Sequence, residues 1–187
     1  MDANSDPSNC GVCGNVCPTG TTCNGGSCST PELIGFDDLP DQTQVPNGYD
    51  GLNWNTFYAV AGSDYSFANP NAYGADVVSP PNVAIAFDPV SPSGSITAFS
   101  TPQFDAISLY ATTSYASATM ILAGSLQGST PSTVSMAVSN SQATFINLGF
   151  TNIDTLVITL ADGMNTAGNL LPAFAIEDFS VNLHAAA

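Results

Sequence analysis

The sequence predicts an all-β protein whose main domain is an antiparallel sandwich of two sheets. After residue 31, about ten short runs rich in Val, Ile, Thr, Phe and Tyr recur roughly every 10 to 14 residues. Pro, Gly, Asn and Ser separate these runs, as expected of turns between strands. No stretch shows the apolar stripe of a capped helix. This pattern is typical of β-sandwiches.

The predicted strands follow one another through the second part of the chain. In order, they are LIGF, WNTFYAV, NVAIAFD, GSITAFS, FDAISLYATT, SATMILAGSLQ, STVSMAVS, ATFINLGF, IDTLVITLA and AFAIEDFSVNL. Apolar and polar residues alternate in part along them, which indicates strands with one buried face. Two loop-rich segments, 37–53 and 61–82, interrupt the series. Long loops on a rigid sandwich are where binding sites commonly lie.

The first 28 residues contain all five cysteines: Cys10, Cys13, Cys17, Cys23 and Cys28. This segment has almost no apolar residues and cannot form a core, so we predict that disulfides hold it together. A zinc site is the alternative, although there is one C-x2-C pair and no nearby histidine. Because five is odd, one thiol is free or pairs outside the segment, and the spacing does not give the connectivity.

The change in composition near residue 31 predicts the domain organisation. We expect a cysteine-rich disulfide module over residues 1–31, a β-domain over residues 32–184 and a short tail over residues 185–187. No apolar segment follows Met1, so the sequence shows no signal peptide. The cysteines nevertheless predict an exported, mature protein, because disulfides persist in oxidising compartments.

The charge of the chain is entirely one-sided. Its 187 residues include no Lys or Arg and 15 Asp and Glu, which gives a net charge of -15. Nucleic acid is excluded as a direct partner, because phosphate contacts need Lys or Arg. The apolar runs are too short and too often broken to predict membrane insertion. A carboxylate held inside this protein must accept backbone or hydroxyl hydrogen bonds, be protonated, or bind a metal cation.

Four carboxylates lie at the first and last predicted strands. Asp37 and Asp38 follow LIGF, and Glu177 and Asp178 lie in the middle of AFAIEDFSV. If these two strands are neighbours, the carboxylates converge, and alternation turns only one of each adjacent pair inward. We expect Asp178 to face the loop after the first strand and Glu177 to face water. A hard cation such as Ca2+ would relieve the repulsion, and solvated strand-edge carboxylates are the alternative.

Two parts of the sequence resemble known extracellular proteins. Residues 9–28 follow the pattern NCGxCGxxCPxGxxCxxGxC and resemble small cysteine-rich repeats of fungi and soil bacteria, which implies secretion. Over residues 33–183, a first strand ending in FDD and a last strand containing IEDFSV resemble β-jelly-roll modules of the carbohydrate-binding type. The segment PNGYDGLNW, followed by FY, is also similar to a family of secreted bacterial and fungal jelly-roll proteins.

The jelly-roll resemblance implies a structural Ca2+ where the chain termini meet. It implies calcium ligands at Asp38 and Asp178, with Asp37 and Glu177 as further candidates. It carries over no sugar site residue by residue. The fold class predicted is therefore an all-β, antiparallel two-sheet jelly-roll sandwich with a small disulfide-rich N-terminal module.

Sugar binding requires exposed aromatic rings that stack on pyranose faces, together with amide or carboxylate partners. Tyr49 and Asp50 lie in the NGYDG turn, and Tyr65 and Tyr73 lie in the second loop-rich segment. We predict ligand contacts at these four positions, since loops on a rigid scaffold often carry binding residues. Trp54 begins an alternating strand, and we predict that it lies in the core.

The sequence predicts a binding or assembly protein and no enzyme. A Ser-His-Asp triad would have to use His184, three residues from the end, and no G-x-S-x-G elbow occurs. The predicted function is a secreted, calcium-stabilised module that binds polysaccharide or other cell-surface or matrix material. The alternative is a self-assembling subunit of an extracellular fibre, coat or adhesive, because a chain without lysine lacks the usual protection of strand edges.

Overall fold

The computed structural model describes residues 2–4, 6–62, 78–87, 93–99, 103–114, 116–161 and 173–184. The predicted tail, residues 185–187, lies outside these ranges. Within them, the strands are β1 (Thr22–Asn24), β2 (Ser27–Ser29), β3 (Glu32–Ile34), β4 (Thr43–Gln44), β5 (Leu52–Asn55), β6 (Phe57–Ala61), β7 (Asn82–Phe87), β8 (Ser93–Ala98), β9 (Phe104–Thr113), β10 (Ala118–Ser125), β11 (Ser132–Val138), β12 (Thr144–Ile153), β13 (Thr155–Ala161) and β14 (Ala173–Leu183). A single 3-10 turn, Tyr49–Gly51, precedes β5. No helix in these ranges is long and apolar enough to cross a membrane.

Two antiparallel sheets form the main domain. One has the strand order β11-β10-β13-β8-β5, and the other has the order β12-β9-β14-β7-β6-β4, with β3 also paired to β14. From β9 onwards the chain crosses between the sheets four times, since β9, β12 and β14 belong to one sheet and β10, β11 and β13 to the other. The prediction of an antiparallel jelly-roll sandwich is confirmed.

The core between the sheets is built around Trp54, as the sequence predicts. Its side chain is fully buried, and its ring lies edge-on to Phe36, Phe57 and Phe179 at centroid distances of 5.2, 5.6 and 6.1 Å. The indole Nε1 donates a hydrogen bond to the Tyr49 carbonyl oxygen at 3.0 Å. The polar edge of this large side chain is therefore satisfied inside the core.

Two disulfides hold the N-terminal module, Cys10–Cys23 and Cys17–Cys28. Cys13 is exposed and unpaired, which accounts for the odd cysteine. The prediction of a disulfide-linked segment is confirmed. The sulfurs of the two bonds lie close together, but sulfur atoms joined in disulfides are not thiolates available to a metal.

The module also contacts the main domain. The side-chain amide of Asn182 on β14 donates a hydrogen bond to the hydroxyl of Thr22 on β1. This contact places the module against one end of the outer face of the seven-stranded sheet, the face turned away from the core.

Candidate functional site

Glu177 and Asp178 lie where β14 changes partners. Residues Ala173–Ile176 of β14 pair with β7, whereas Phe179–Val181 pair with β3. The register with β9 shifts after Glu177, and Asp178 adopts a positive φ of 49°. This β-bulge inserts residues between two core positions, so neither acidic side chain enters the core.

Backbone amides hold the Glu177 carboxylate. Its Oε2 accepts a hydrogen bond from Val78 N at 2.7 Å, and its Oε1 accepts one from Ser79 N at 2.5 Å. The Ser79 hydroxyl donates to Asp178 Oδ1 at 3.0 Å. Glu177 is only 3% exposed, so the expectation that it faces water is wrong. The bulge reverses the expected arrangement, and the buried member of the pair is Glu177.

Asp37 binds the segment 78–82, which also donates to Glu177. Its Oδ1 accepts a hydrogen bond from Asn82 N at 2.8 Å. Because Pro80 and Pro81 have no N–H, the segment 78–82 has three backbone N–H groups, and each donates to a carboxylate. Five further aspartates among the described residues accept backbone N–H groups in the same way: Asp2, Asp6, Asp41, Asp105 and Asp154. Backbone amides therefore serve as partners of these carboxylates in place of Lys and Arg, and Asp105 also has a basic partner, since His184 Nε2 lies 2.9 Å from its Oδ1.

Acidic residues also lie beside Tyr49. The Tyr49 hydroxyl lies 2.6 Å from Asp38 Oδ1 and 2.7 Å from the Gly35 carbonyl oxygen, and it can donate to either. Its ring stacks on Phe36 at 6.0 Å and contacts Trp54 at 6.4 Å. Tyr49 is thus packed against the core and does not offer a free stacking surface.

Of the three remaining predicted ligand residues, the structure describes Asp50 alone. Asp50 adjoins Tyr49 and is half-buried. Tyr65 and Tyr73 lie outside the described residues.

Burial raises the pKa of three carboxyl groups. For Glu177, burial outweighs the two backbone hydrogen bonds, which lower its pKa, and the charge of Asp178 adds to the rise. The pKa of Asp50 is raised by burial and by the charge of Asp38. The pKa of Glu32 is raised by burial and by the charge of Asp50. With no Lys or Arg in the chain, nothing basic opposes these shifts.

These shifts predict how stability depends on pH. A carboxyl group whose pKa is higher in the folded state binds its proton more readily there, so its contribution is greatest below the unfolded pKa of about 4 and is lost as the pH rises through the raised folded value. Repulsion among acidic groups acts in the same direction. We expect the melting temperature to fall from about pH 4.5 to neutrality. Thermal unfolding over this range tests this, and a rising melting temperature would contradict it.

The predicted calcium ligands fit an ion only in part. Among the described residues, no three acidic groups have oxygens within 4.8 Å of one another. Glu177 does not fit, because backbone amides occupy both its oxygens. Asp37, Asp38 and Asp178 each accept a hydrogen bond from a described residue through Oδ1 alone. Each leaves its Oδ2 without a described partner, but the three carboxylates do not all lie within 4.8 Å of one another, so carbonyl oxygens and water would have to complete any site.

The outer face of the seven-stranded sheet carries an exposed aromatic pair. Phe145 on β12 and Tyr110 on β9 are register partners whose ring centroids lie 5.2 Å apart, with an angle of 61° between the rings. Phe145 is 54% exposed, and Tyr110 is half-buried. Two residues further along the strands, Asn147 and Ser108 are also register partners. We call these four residues the aromatic patch.

The aromatic patch adjoins Glu177, one of the two carboxylates at the bulge of β14. Glu177 is the β14 register partner of Tyr110, and the two residues line a shallow pocket together with Thr112, Ala143 and Ala175. At the other end of the sheet, a groove of about 210 Å³ separates the outer face from the cysteine module. The patch is therefore an open strip between these two features.

The sequence contains a signal for the patch that loop-based reasoning overlooks. In β12, the buried residues are Ile146, Leu148, Phe150 and Ile153, so Phe145 and Asn147 alternate onto the outer face. Phe145 is the one large apolar side chain among the exposed residues of β12, and this exception marks the site.

No family model matches the sequence, and no curated protein matches it. Solved structures with a similar arrangement of strands include two carbohydrate-binding modules. One is TmCBM61 in complex with beta-1,4-galactotriose, at 10% identity over 78% of this chain and 99% of that chain, with a TM-score of 0.44. The other is a family 11 module from Clostridium thermocellum in complex with a beta-1,3-1,4-mixed-linked tetrasaccharide, at 10% identity over 82% of this chain and 96% of that chain, with a TM-score of 0.42. Likeness at this level assigns no ligand and no site residue to this chain.

Proposed function

We propose that this protein is an extracellular, non-catalytic module that binds a neutral polysaccharide through the aromatic patch. The observation that carries the proposal is the exposed ring of Phe145, fixed on a strand beside Tyr110. A pyranose ring has an apolar C–H face and a rim of hydroxyl groups. Phe145 and Tyr110 match the face, while the amide of Asn147 and the hydroxyl of Ser108 can hydrogen-bond to the rim.

The scaffold keeps these groups in place before any ligand arrives. Both aromatic residues lie on ten-residue strands, and β9 has paired neighbours on both sides. Side chains fixed on strands lose less conformational entropy on binding than side chains on loops. The patch is therefore suited to recognise a rigid, repeating ligand.

Charge selects the class of polysaccharide. Every residue from Ala106 to Ile153 is uncharged, and all four patch residues lie in this interval. The chain as a whole has a net charge of -15, which repels acidic polysaccharides at a distance. A neutral glycan avoids this repulsion and needs no cationic partner.

We expect Phe145→Ala and Tyr110→Ala each to weaken binding about tenfold, which corresponds to the loss of about 1.4 kcal/mol of contact with one ring. Affinity electrophoresis through gels containing neutral polysaccharides, with pull-down on insoluble ones, measures this. Phe99→Ala is the matched control, because Phe99 is 58% exposed but lies outside the patch. The proposal fails if no neutral polysaccharide retards the protein, or if Phe99→Ala weakens binding as much as Phe145→Ala.

We also propose that a structural calcium ion binds at the carboxylates around the end of β3. Asp38 and Asp178 would hold it, with Asp37 as a further candidate ligand, because each has an oxygen not engaged by a described residue and no Lys or Arg competes. An ion that binds the folded state alone at a hundred times its Kd stabilises that state by about 2.7 kcal/mol.

A chelator is therefore expected to lower the melting temperature by about 5–10 °C, and added Ca2+ should restore it. Asp178→Asn should abolish the response, whereas Asp154→Asn, at a distant turn, should preserve it. An unchanged melting temperature with chelator would show that backbone amides suffice.

A further inference from the structure

We propose that the edge strand β11 is a self-association surface through which two copies of this chain pair as a closed dimer. The proposal goes beyond glycan binding and does not rest on it. β11 pairs with β10 in an uninterrupted antiparallel register from Ala118↔Val138 to Gly124↔Ser132. It pairs with no other described strand, so every second residue directs its N–H and C=O groups away from the sheet.

The other sheet edges in the described part of the chain are short or irregular. β4 has two residues and β5 has four. β12 is long, but its register shifts twice, and Gly149 and Asn152 within it have positive φ angles. Bulges of this kind prevent an edge from pairing with another strand. The seven residues of β11 contain no bulge, no proline and no charge.

The distribution of charge also favours pairing through β11 over pairing through β4 or β5. Two copies, each with a net charge of -15, repel one another most where their carboxylates approach. Asp41 lies just before β4 and Asp50 just before β5, whereas β11 and its partner β10 contain no charged residue. The Asp154 carboxylate lies at the turn between β10 and β11, where it accepts the Gln127 N–H at 2.7 Å. At physiological ionic strength, charges beyond about 8 Å are largely screened. Two β11 edges can therefore meet at lower electrostatic cost than the edges beside Asp41 and Asp50.

Pairing about a two-fold axis defines the geometry. Ser135 is the middle residue of β11, so an antiparallel pair centred there places it opposite Ser135 of the second copy. Val134 then lies opposite Met136 of the second copy on the inner side, where both are half-buried. The exposed side chains on the other side, Thr133, Ser135 and Ala137, are small and uncharged. The contact uses the same edge of both copies and closes after two.

Sedimentation velocity tests the proposal in a Cys13→Ser background, which removes the exposed thiol so that no disulfide can link two copies. We expect a concentration-dependent species of twice the 19.1 kDa chain mass, favoured by added salt. Ser135→Glu places two carboxylates opposite each other and should raise the dimer Kd at least about tenfold. Thr151→Glu on β12 adds the same charge at an exposed position of the neighbouring edge and should leave the Kd within about twofold of the parent.

Three results would overturn the proposal. They are a monomer at every concentration and salt level, a Ser135→Glu variant that dimerises like its parent, and assemblies larger than the dimer. Thermal unfolding of both glutamate variants as monomers confirms that a change in Kd does not arise from loss of folding.

Discussion

Trp54→Ala is expected to lower the free energy of unfolding by about 4 kcal/mol and the melting temperature by about 8–16 °C. The substitution empties a fully buried site between the sheets, where Phe36, Phe57 and Phe179 contact the indole ring. These rings belong to separate parts of the chain, with Phe57 on β6 and Phe179 on β14, so they cannot all move together to fill the cavity. The loss therefore combines the transfer energy of the side chain with the cost of the cavity.

Chemical and thermal unfolding measure this effect. Phe99→Ala is the matched control, since it removes a phenyl ring that is 58% exposed and should cost less than about 1 kcal/mol. A loss below about 1 kcal/mol for Trp54→Ala would contradict the described core.

Glu177→Ala is expected to cost about 2–3 kcal/mol at pH 7, despite removing a buried carboxylate. The substitution leaves the N–H groups of Val78 and Ser79 without their acceptors, and each orphaned donor is costly. It also removes the contact of residues 78 and 79 with β14 at the point where β14 changes its partner from β7 to β3. Glu177→Gln should be nearly as destabilising, because its amide NH2 group replaces one acceptor with a donor.

Asp178→Asn is the control for the Glu177 variants, because its carboxylate accepts one hydroxyl hydrogen bond and is half-exposed. We expect it to cost less than about 1 kcal/mol when measured without calcium. If Glu177→Ala were as stable as the parent protein, water would be satisfying the freed amides, and the role given to this carboxylate would be wrong.

Local patterns were sufficient to predict most of the fold. The alternation around Trp54 predicted its burial, and the jelly-roll arrangement implied that the first and last strands of the sandwich would be neighbours. The pairing of Phe179 with Ile34 confirms this second prediction. The burial of Trp54 depends on side-chain periodicity, which a single sequence displays directly, whereas the neighbouring strands follow from the fold class.

The orientation of Glu177 and Asp178 could not be predicted in the same way. A single bulge reverses the faces of the residues that follow it, and nothing in AFAIEDFSV marks its position. The amide of Val78, which binds Glu177, lies 99 residues away in the sequence. Such a partner becomes visible only in three dimensions.

The candidate site also differs from the sequence prediction for physical reasons. Tyr49 lies in a polar, glycine-rich turn, yet its ring covers Phe36 and its hydroxyl is held by Asp38 and Gly35. Phe145 lies in a strand whose apolar residues suggest burial, yet it points outward because the neighbouring residue, Ile146, points into the core. In both cases the composition of the surrounding segment was a poorer guide than the direction of the single side chain.

Chemical-shift mapping with a soluble neutral oligosaccharide tests the central claim, that the aromatic patch binds glycan, most directly. The oligosaccharide is chosen from the polysaccharide that retards the protein most strongly. We expect saturable shifts concentrated at Ser108, Tyr110, Phe145 and Asn147, which Phe145→Ala removes while the rest of the spectrum remains that of the folded protein. Saturable shifts centred on Phe99 and Tyr49, with the patch unchanged, would contradict it.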